Sequence, residues 1–253
     1  MAELNRLNGR ALAATFSGAT DMELRLTWNC ALAFSGEPVA DLNMVILGPD
    51  AGAEDFLVQA MARAETLRLP LLACMTPHVA AFLEATAERL GLTAAGTMPM
   101  MVFRASSPLE VRSCRIDRAL GQDKARAAGD LMSAAFALPR DSVARAFESG
   151  LTATSGAETF IGFRDERPMS AVTVARAGST AGIWCMATPP EYQGKGMGRA
   201  LLTQVMERFR LDGVDRFYLL ATAAGRPLYQ SIGFVTLGEY SVWVRGHSTQ
   251  VNA

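Results

Sequence analysis

One succession of apolar runs and chain breakers occurs twice along this sequence, and that recurrence limits the fold more than any other feature. In the second half, apolar runs bounded by turn residues predict strands at Glu158–Phe163, Met169–Arg176 and Ala181–Ala187, with Gly162, Gly178, Gly182 and the polar cluster around Asp165 as breakers. A glycine-rich segment then leads into a helix at Met197–Leu211, a strand at Phe217–Ala221, a short helix at Pro227–Ile232 and a last strand at Phe234–Val244. The first half repeats the order: strand Leu42–Leu47, helix Phe56–Thr66, strand Leu71–Met75, helix Val79–Leu90 and strand Met98–Phe103. Leu90-Gly91-Leu92 corresponds to Ile232-Gly233-Phe234, and Met44 to Gly91 spans as many residues as Met186 to Gly233. The recurrence reads as an ancient duplication of an α/β (α+β) unit, divided near the short polar stretch Ala105–Pro108. Ahead of the second set, Lys124–Leu138 has helical spacing, and Pro139 precedes a short helix at Asp141–Glu148 with Asp141 as its N-cap.

Composition narrows the function classes. Half of the 253 residues are hydrophobic and 19% are charged, enough apolar material for a core. The 24 basic and 25 acidic residues leave a net charge of −1, without the basic excess that phosphate neutralisation requires, so no nucleic-acid partner is expected. The most apolar stretch, Leu69–Leu83, is interrupted by Pro70, Pro77 and His78, and the opening MAELNRLNGR has no apolar segment of the kind that marks a secretory signal. No membrane association and a cytoplasmic location are therefore expected. Cys30, Cys74, Cys114 and Cys185 form no CxxC pair, so neither a metal site nor a disulfide framework is expected, and the four read as small buried hydrophobes. His78 falls at a helix start, where a surface or capping role is expected, and His247 falls in a polar tail, 247–253, expected to be mobile.

Chemistry concentrates in Gln193-Gly194-Lys195-Gly196-Met197-Gly198-Arg199, between a strand and a helix. Three glycines at alternate positions remove the Cβ atoms that would hold a ligand off the backbone. Unpaired amides and the dipole at a helix N-terminus favour an anion, and Lys195 and Arg199 add positive charge. These features describe a phosphate or pyrophosphate cradle. It is not a Walker loop, because GxxxxGK[ST] is absent, and the dinucleotide GxGxxG pattern fails at Arg199.

The order Gln-x-x-Gly-x-Gly at Gln193, Gly196 and Gly198 resembles the acyl-CoA pyrophosphate loop of the GNAT superfamily of N-acetyltransferases. The preceding strand ending Cys185-Met186-Ala187-Thr188, and Leu228-Tyr229 to Gly233-Phe234 downstream, resemble the family's flanking signatures. The resemblance covers about Cys114 to Arg245. It implies two tandem GNAT-like domains, each a mixed twisted sheet flanked by helices: residues 1–106 without a cofactor loop, and 107–246 as the working domain. It implies a sheet splayed open at its middle, with acetyl-CoA as cosubstrate and no metal. Met186, Ala187 and Thr188 would line the pantetheine arm, and Gln193 to Arg199 would hold the pyrophosphate. A backbone amide near Met186 or Ala187 would polarise the thioester carbonyl. Tyr229 matches the family's proton donor to the departing thiolate.

The implied reaction is transfer of acetyl to an amine of a small molecule or peptide, by a monomer or homodimer. The alternative is a non-catalytic acyl-CoA-binding or regulatory protein, favoured by the lack of an acid in 182–188 and 217–225. Glu191, Thr222 acting through a water, and an acid from the other half remain open as the route for the amine proton. Trp184 and Met186 alternate on one strand face and read as core or pocket wall. The corresponding first-half loop, Gly48 to Phe56, carries Asp50, Glu54 and Asp55 where a diphosphate would sit, and its tyrosine position falls near Ala87. That half reads as a copy that has lost cofactor binding and walls the acceptor pocket.

Overall fold

The computed structural model describes residues 1–16, 23–104, 106–148 and 156–246; the tail from 247, with His247, lies outside the described residues. The first half runs α1 (Ala2–Phe16), β1 (Glu23–Leu26), β2 (Cys30–Phe34), a 3₁₀ turn (Ala40–Leu42), β3 (Asn43–Leu47), α2 (Ala53–Leu67), β4 (Leu71–Met75), α3 (Pro77–Arg89) and β5 (Thr93–Arg104). The second runs β6 (Arg115–Arg118), α4 (Gln122–Phe136), α5 (Arg140–Val143) with a π-helical turn (Ala144–Glu148), β7 (Ala157–Arg164), β8 (Arg167–Ala177), β9 (Thr180–Ala187), a 3₁₀ turn (Pro190–Tyr192), α6 (Met197–Leu211), β10 (Arg216–Leu220), α7 (Arg226–Ile232) and β11 (Val235–Arg245).

The eleven strands among the described residues form one mixed sheet in the order β1-β2-β3-β4-β11-β5-β10-β9-β8-β7-β6. The two halves exchange their last strands. β11 lies antiparallel between β4 and β5, and β5 lies antiparallel to β10. The flanked mixed sheet expected of each half is present, and the exchange joins the two edge to edge.

The apolar run in β3 explains the layering. Its five residues are all buried, because successive side chains enter opposite layers. Met44 and Ile46 join a core with Leu12 and Phe16 of α1 and Met132 of α4. Val45 and Leu47 join a core with Phe56 and Leu57 of α2 and Leu83 of α3. Behind the second half, α6 sets Leu201, Val205, Met206 and Phe209 against Phe217 and Leu219 of β10. The layer holding α1, α4 and α5 is thus common to both halves, whereas each half has its own helices behind the sheet.

Two expectations change. The helix placed at 141–148 starts at Arg140 and turns π-helical after Val143; Pro139, extended at φ −58° and ψ 126°, is its N-cap, and Asp141 lies in the first turn. The four cysteines are free, but only Cys30 and Cys74 are buried; Cys114 and Cys185 are half-buried. His78 lies exposed in the first turn of α3 against the Phe82 ring.

Candidate active site

The site begins where the sheet opens. β9 and β10 run parallel and pair at Thr180–Arg216, Ala181–Phe217 and Gly182–Tyr218; beyond Gly182 and Tyr218 the two strands separate. A bulge in β9 sharpens the opening. Ala187 pairs with Ala171 and Trp184 with Thr173, which leaves Cys185 and Met186 outside the ladder, and Cys185 takes a φ of +48°. A non-glycine residue in the left-handed region costs about 1–2 kcal/mol, so the surrounding packing holds this kink. The bulge also breaks the expected alternation: Trp184, Cys185 and Met186 all face one cavity of about 630 Å³.

The loop after β9 is tied before it reaches the cavity. Gln193 Nε2 donates to the Thr188 carbonyl at 3.0 Å, and the Ser170 hydroxyl donates to the Ala187 carbonyl at 2.8 Å. Gly194 and Gly196 have φ of +70° and +77°, and a Cβ at either would meet no atom closer than Arg112 Nη1 at 4.0 Å. Those two glycines are needed for backbone conformation. Gly198 differs: a Cβ there would lie 3.0 Å from Thr188 Oγ1 and 3.2 Å from Met186 Cε, so this position lets α6 seat against the end of β9. At Gly198 the absence of a Cβ therefore serves helix packing as well. The N–H of Ala200 reaches the Gly196 carbonyl at 3.0 Å, leaving the amides of Met197, Gly198 and Arg199 at the free helix end.

Charges around this loop are shared with the protein. Lys195 Nζ donates to the Glu191 carbonyl at 2.7 Å, and Arg199 donates to the Ser231 carbonyl and hydroxyl at 2.9 Å each and pairs with Glu110. The sequence reading missed two arginines at the rim. Arg112 approaches Gly196, and Arg164 donates to the Lys195 carbonyl at 3.1 Å. Neither lies in the motif, and only the folded chain brings them there.

Of the residues singled out from sequence, Met186, Thr188, Gln193, Gly194, Gly196, Met197, Gly198, Arg199 and Tyr229 line the cavity. Ala187 is buried in the core, and Lys195 lies off the cavity wall. Tyr229 is 7% exposed, with its ring edge-on to Phe234 at 5.8 Å. Burial, and then the neighbouring Cys185, raise its phenol well above the usual tyrosine range, so the hydroxyl keeps its proton across the physiological range. Burial likewise raises Cys185 to about 12, which keeps that thiol neutral. Thr222 lines the cavity and its hydroxyl accepts from the Gly225 N–H at 3.1 Å; Glu191 is exposed.

The far wall comes from the first half. Asn8 and Phe16 of α1, Asp41 and Leu42 of the 3₁₀ turn, Met44 of β3 and Met98 of β5 all line the same cavity. A bidentate ion pair helps hold the halves there, with Arg145 Nε and Nη2 at 2.6 and 2.8 Å from the buried Glu37 carboxylate. This pairing keeps Glu37 below its ordinary pKa. Among the described residues, no group of three His, Cys, Asp or Glu is arranged to hold a metal, and no helix is long and apolar enough to cross a membrane.

In sequence comparison, the family model described as "Acetyltransferase (GNAT) domain" matches residues 155–236. An uncharacterized N-acetyltransferase, ycf52, from Gracilaria tenuistipitata var. liui is 30% identical over 56 residues, which is 22% of this chain and 31% of that relative. The match therefore spans less than a third of the relative's length. A GCN5-related N-acetyltransferase from Kribbella flavida has the same fold at a TM-score of 0.66, with 13% identity over 96% of this chain and 97% of that one. One from Sphaerobacter thermophilus superposes at 0.61 and 14% identity, covering 97% and 93%. A tandem GNAT protein from the clavulanic acid biosynthesis pathway superposes at 0.59 and 14% identity, covering 98% and 94%. The opened sheet, the glycine turn at the head of α6 and the matched segment agree: this chain has the GNAT fold, and its residues 155–236 match the GNAT acetyltransferase domain.

Proposed function

We propose that the chain is an N-acetyltransferase that moves acetyl from acetyl-CoA to the amine of a small molecule. The observation carrying this reading is the cavity itself. It joins an amide-rich helix end, a bulged strand and a buried neutral phenol, and it runs from the glycine loop to the first half. A diphosphate fits the loop because Gly194 and Gly196 hold left-handed turns with open space outside them. Arg112 and Arg164 add charge at the rim. When bound, acetyl-CoA supplies the acetyl thioester that an amine attacks. The backbone of Cys185 and Met186, left outside the sheet ladder by the bulge, offers amide donors to a carbonyl oxygen. The departing thiolate takes the proton of the Tyr229 hydroxyl, which burial keeps protonated, and the proton released by the acylated amine restores the phenol.

The division into a first half of 1–106 without cofactor and a working half of 107–246 is part of the same proposal. Its support is a contrast between equivalent strand pairs. β3 and β4 stay paired from Met44–Leu72 to Leu47–Met75, and the Thr76 N–H continues to the Leu47 carbonyl at 2.9 Å. No opening like that between β9 and β10 exists there. A Cβ on Gly48 would lie 2.1 Å from Asn5 Nδ2, and Asp50 turns inward to accept from Thr27 and from the Gly52 N–H.

A thiol-release assay with acetyl-CoA and a panel of amines, alongside titration calorimetry with CoA, tests the reading. Amine-dependent release supports it. CoA binding without release points to a regulatory acyl-CoA-binding protein, and absence of CoA binding refutes the proposal.

A further inference from the structure

The connector between the two halves lies on the head of α6. Residues 106–114 form no helix or strand, yet their backbone is tied to that helix. The Arg112 N–H donates to the Thr203 hydroxyl at 3.2 Å, the Cys114 N–H donates to Gln204 Oε1 at 3.1 Å, and Leu109 packs on the core that α6 forms with β10. Thr203 and Gln204 stand in the second turn of α6, so this attachment sets Glu110 and Arg112 beside the glycine turn. Arg112 Nη1 comes within 4.0 Å of the place a Cβ would take on Gly196. The Glu110 carboxylate is shared between two arginines, 3.4 Å from Arg199 and 3.6 Å from Arg112. The Arg112 side chain is 53% exposed and that of Glu110 68%, so water screens their pair and its hold is slight.

Resting on the acetyltransferase reading above, we infer that Arg112 is a phosphate-binding residue of the cosubstrate site, supplied by the connector from outside the glycine motif, and that Glu110 is its counter-ion until the cosubstrate enters. A phosphate group outcompetes the carboxylate. The guanidinium meets its oxygens with two parallel N–H donors, and the free amides at the head of α6 attract the same anion. Arg112 turns toward that anion without unseating the connector, because the connector is held by the Arg112 N–H and not by its guanidinium. Arg199 is less suited to the task, since its Nη1 already donates to the carbonyl and the hydroxyl of Ser231 and its side chain is 19% exposed. Once a phosphate is bound, the Glu110 carboxylate repels it, so Glu110 weakens binding while Arg112 strengthens it. The segment that joins the halves is in this way part of the site.

The test is titration calorimetry on the full chain with CoA and with dephospho-CoA, at low and at high salt. An unaltered chain that fails to bind CoA refutes the acetyltransferase reading and this inference with it; with CoA bound, the variants judge the inference separately. Arg112→Gln should weaken CoA binding about five- to twentyfold at low salt and less at high salt, because screening shrinks a charge contact. An equal loss with dephospho-CoA assigns Arg112 to the diphosphate, and a loss with CoA alone assigns it to the 3′-phosphate. Arg112→Lys should recover part of the loss, since it restores the charge without the paired donors. Glu110→Gln should tighten CoA binding about two- to fivefold, the reverse of what a merely structural residue would give. The melting temperature of Arg112→Gln should stay within about 2 °C of the unaltered chain, as for other exposed positions. Arg89→Gln removes the same charge from an exposed site on α3 and should leave both affinities within about twofold. Unchanged CoA affinity in Arg112→Gln overturns the inference. So does a loss that salt does not diminish, a loss that Arg89→Gln reproduces, or weaker CoA binding in Glu110→Gln.

Discussion

Gly196→Ala isolates what the glycine turn contributes. Gly196 is the N-cap of α6 at φ 77° and ψ 2°, and an added Cβ would meet nothing closer than 4.0 Å. Steric conflict is therefore absent, and the whole cost is backbone conformation. An L-residue with a side chain pays about 1–2 kcal/mol in the left-handed region. Where a native conformation suits alanine, Gly→Ala stabilises by about 0.4–1 kcal/mol through the unfolded chain; here the sign reverses. If the fold holds the turn, the cost appears as lost stability. If the turn relaxes, the cosubstrate must restore it, and the cost appears as weaker CoA binding, up to about 5- to 30-fold at 1.4 kcal/mol per decade. Denaturant melts and CoA calorimetry on one preparation should together account for about 1–2 kcal/mol. Gly196→Asn should lose less than Gly196→Ala, because asparagine tolerates left-handed backbone. Wild-type stability and affinity in Gly196→Ala, or a larger loss in Gly196→Asn, would refute the conformational account.

Tyr229→Phe should lower kcat by about a hundredfold or more, the scale of a lost general acid, with CoA affinity nearly unchanged; stopped-flow thiol release and calorimetry read the two separately. Arg145→Met leaves the Glu37 carboxylate buried without its bidentate partner and should cost about 1–2 kcal/mol in urea melts. Because pairing depresses the Glu37 pKa, its contribution is present above about pH 4.5 and is lost as pH falls through the lower folded value, so Glu37→Gln should flatten stability against pH in that acid range. An excised segment 1–106 lacks both strands that flank β5 and should not form a monomeric folded unit by circular dichroism and gel filtration; CoA binding by that segment would refute the proposed loss of cofactor binding.

Much of the fold in both halves was legible where its signals are local. α6 at Met197–Leu211 and β4 at Leu71–Met75 have the bounds expected from sequence, since each is an apolar run closed by turn residues. The glycine turn was legible too, although Gly198 serves packing. α1 was missed because its buried face includes Asn5, Asn8 and Gly9, which erase the apolar period. Gly9 is there for close approach, since a Cβ would lie 2.8 Å from Ala31 Cβ. The bulge at Cys185 has no glycine or proline to announce it. The strand exchange was hidden for another reason. β5 and β11 are similar long strands, and which neighbour each pairs with is decided by the assembled sheet, not by either segment. Arg112 was missed because it belongs to no motif, and only the folded connector brings it to the glycine turn.

Two asparagines one turn apart on α1 show how the exchange reaches the cavity. Asn5 is satisfied on both sides: Nδ2 donates to the Asn29 carbonyl at 2.7 Å, and Oδ1 accepts from the Tyr240 hydroxyl at 3.0 Å. Tyr240 belongs to β11, the strand the second half lends to the first, and it pairs there with Met98 of β5, itself part of the cavity wall. Arg216 adds a second hold, donating to the Glu3 carboxylate at 2.7 Å. Strands from the second half therefore fix the position of α1, so the turn bearing Asn8 is clamped against the cavity. A residue three positions along a helix lies on nearly the same face, and the same residue type meets opposite fates there. Asn5 closes its hydrogen bonds within the fold and accounts for its own burial. Asn8, on an equally fixed backbone, keeps a buried donor with no hydrogen-bond partner among the described residues. Within one helix held by both halves, the difference lies in which neighbours the strand exchange brings within reach.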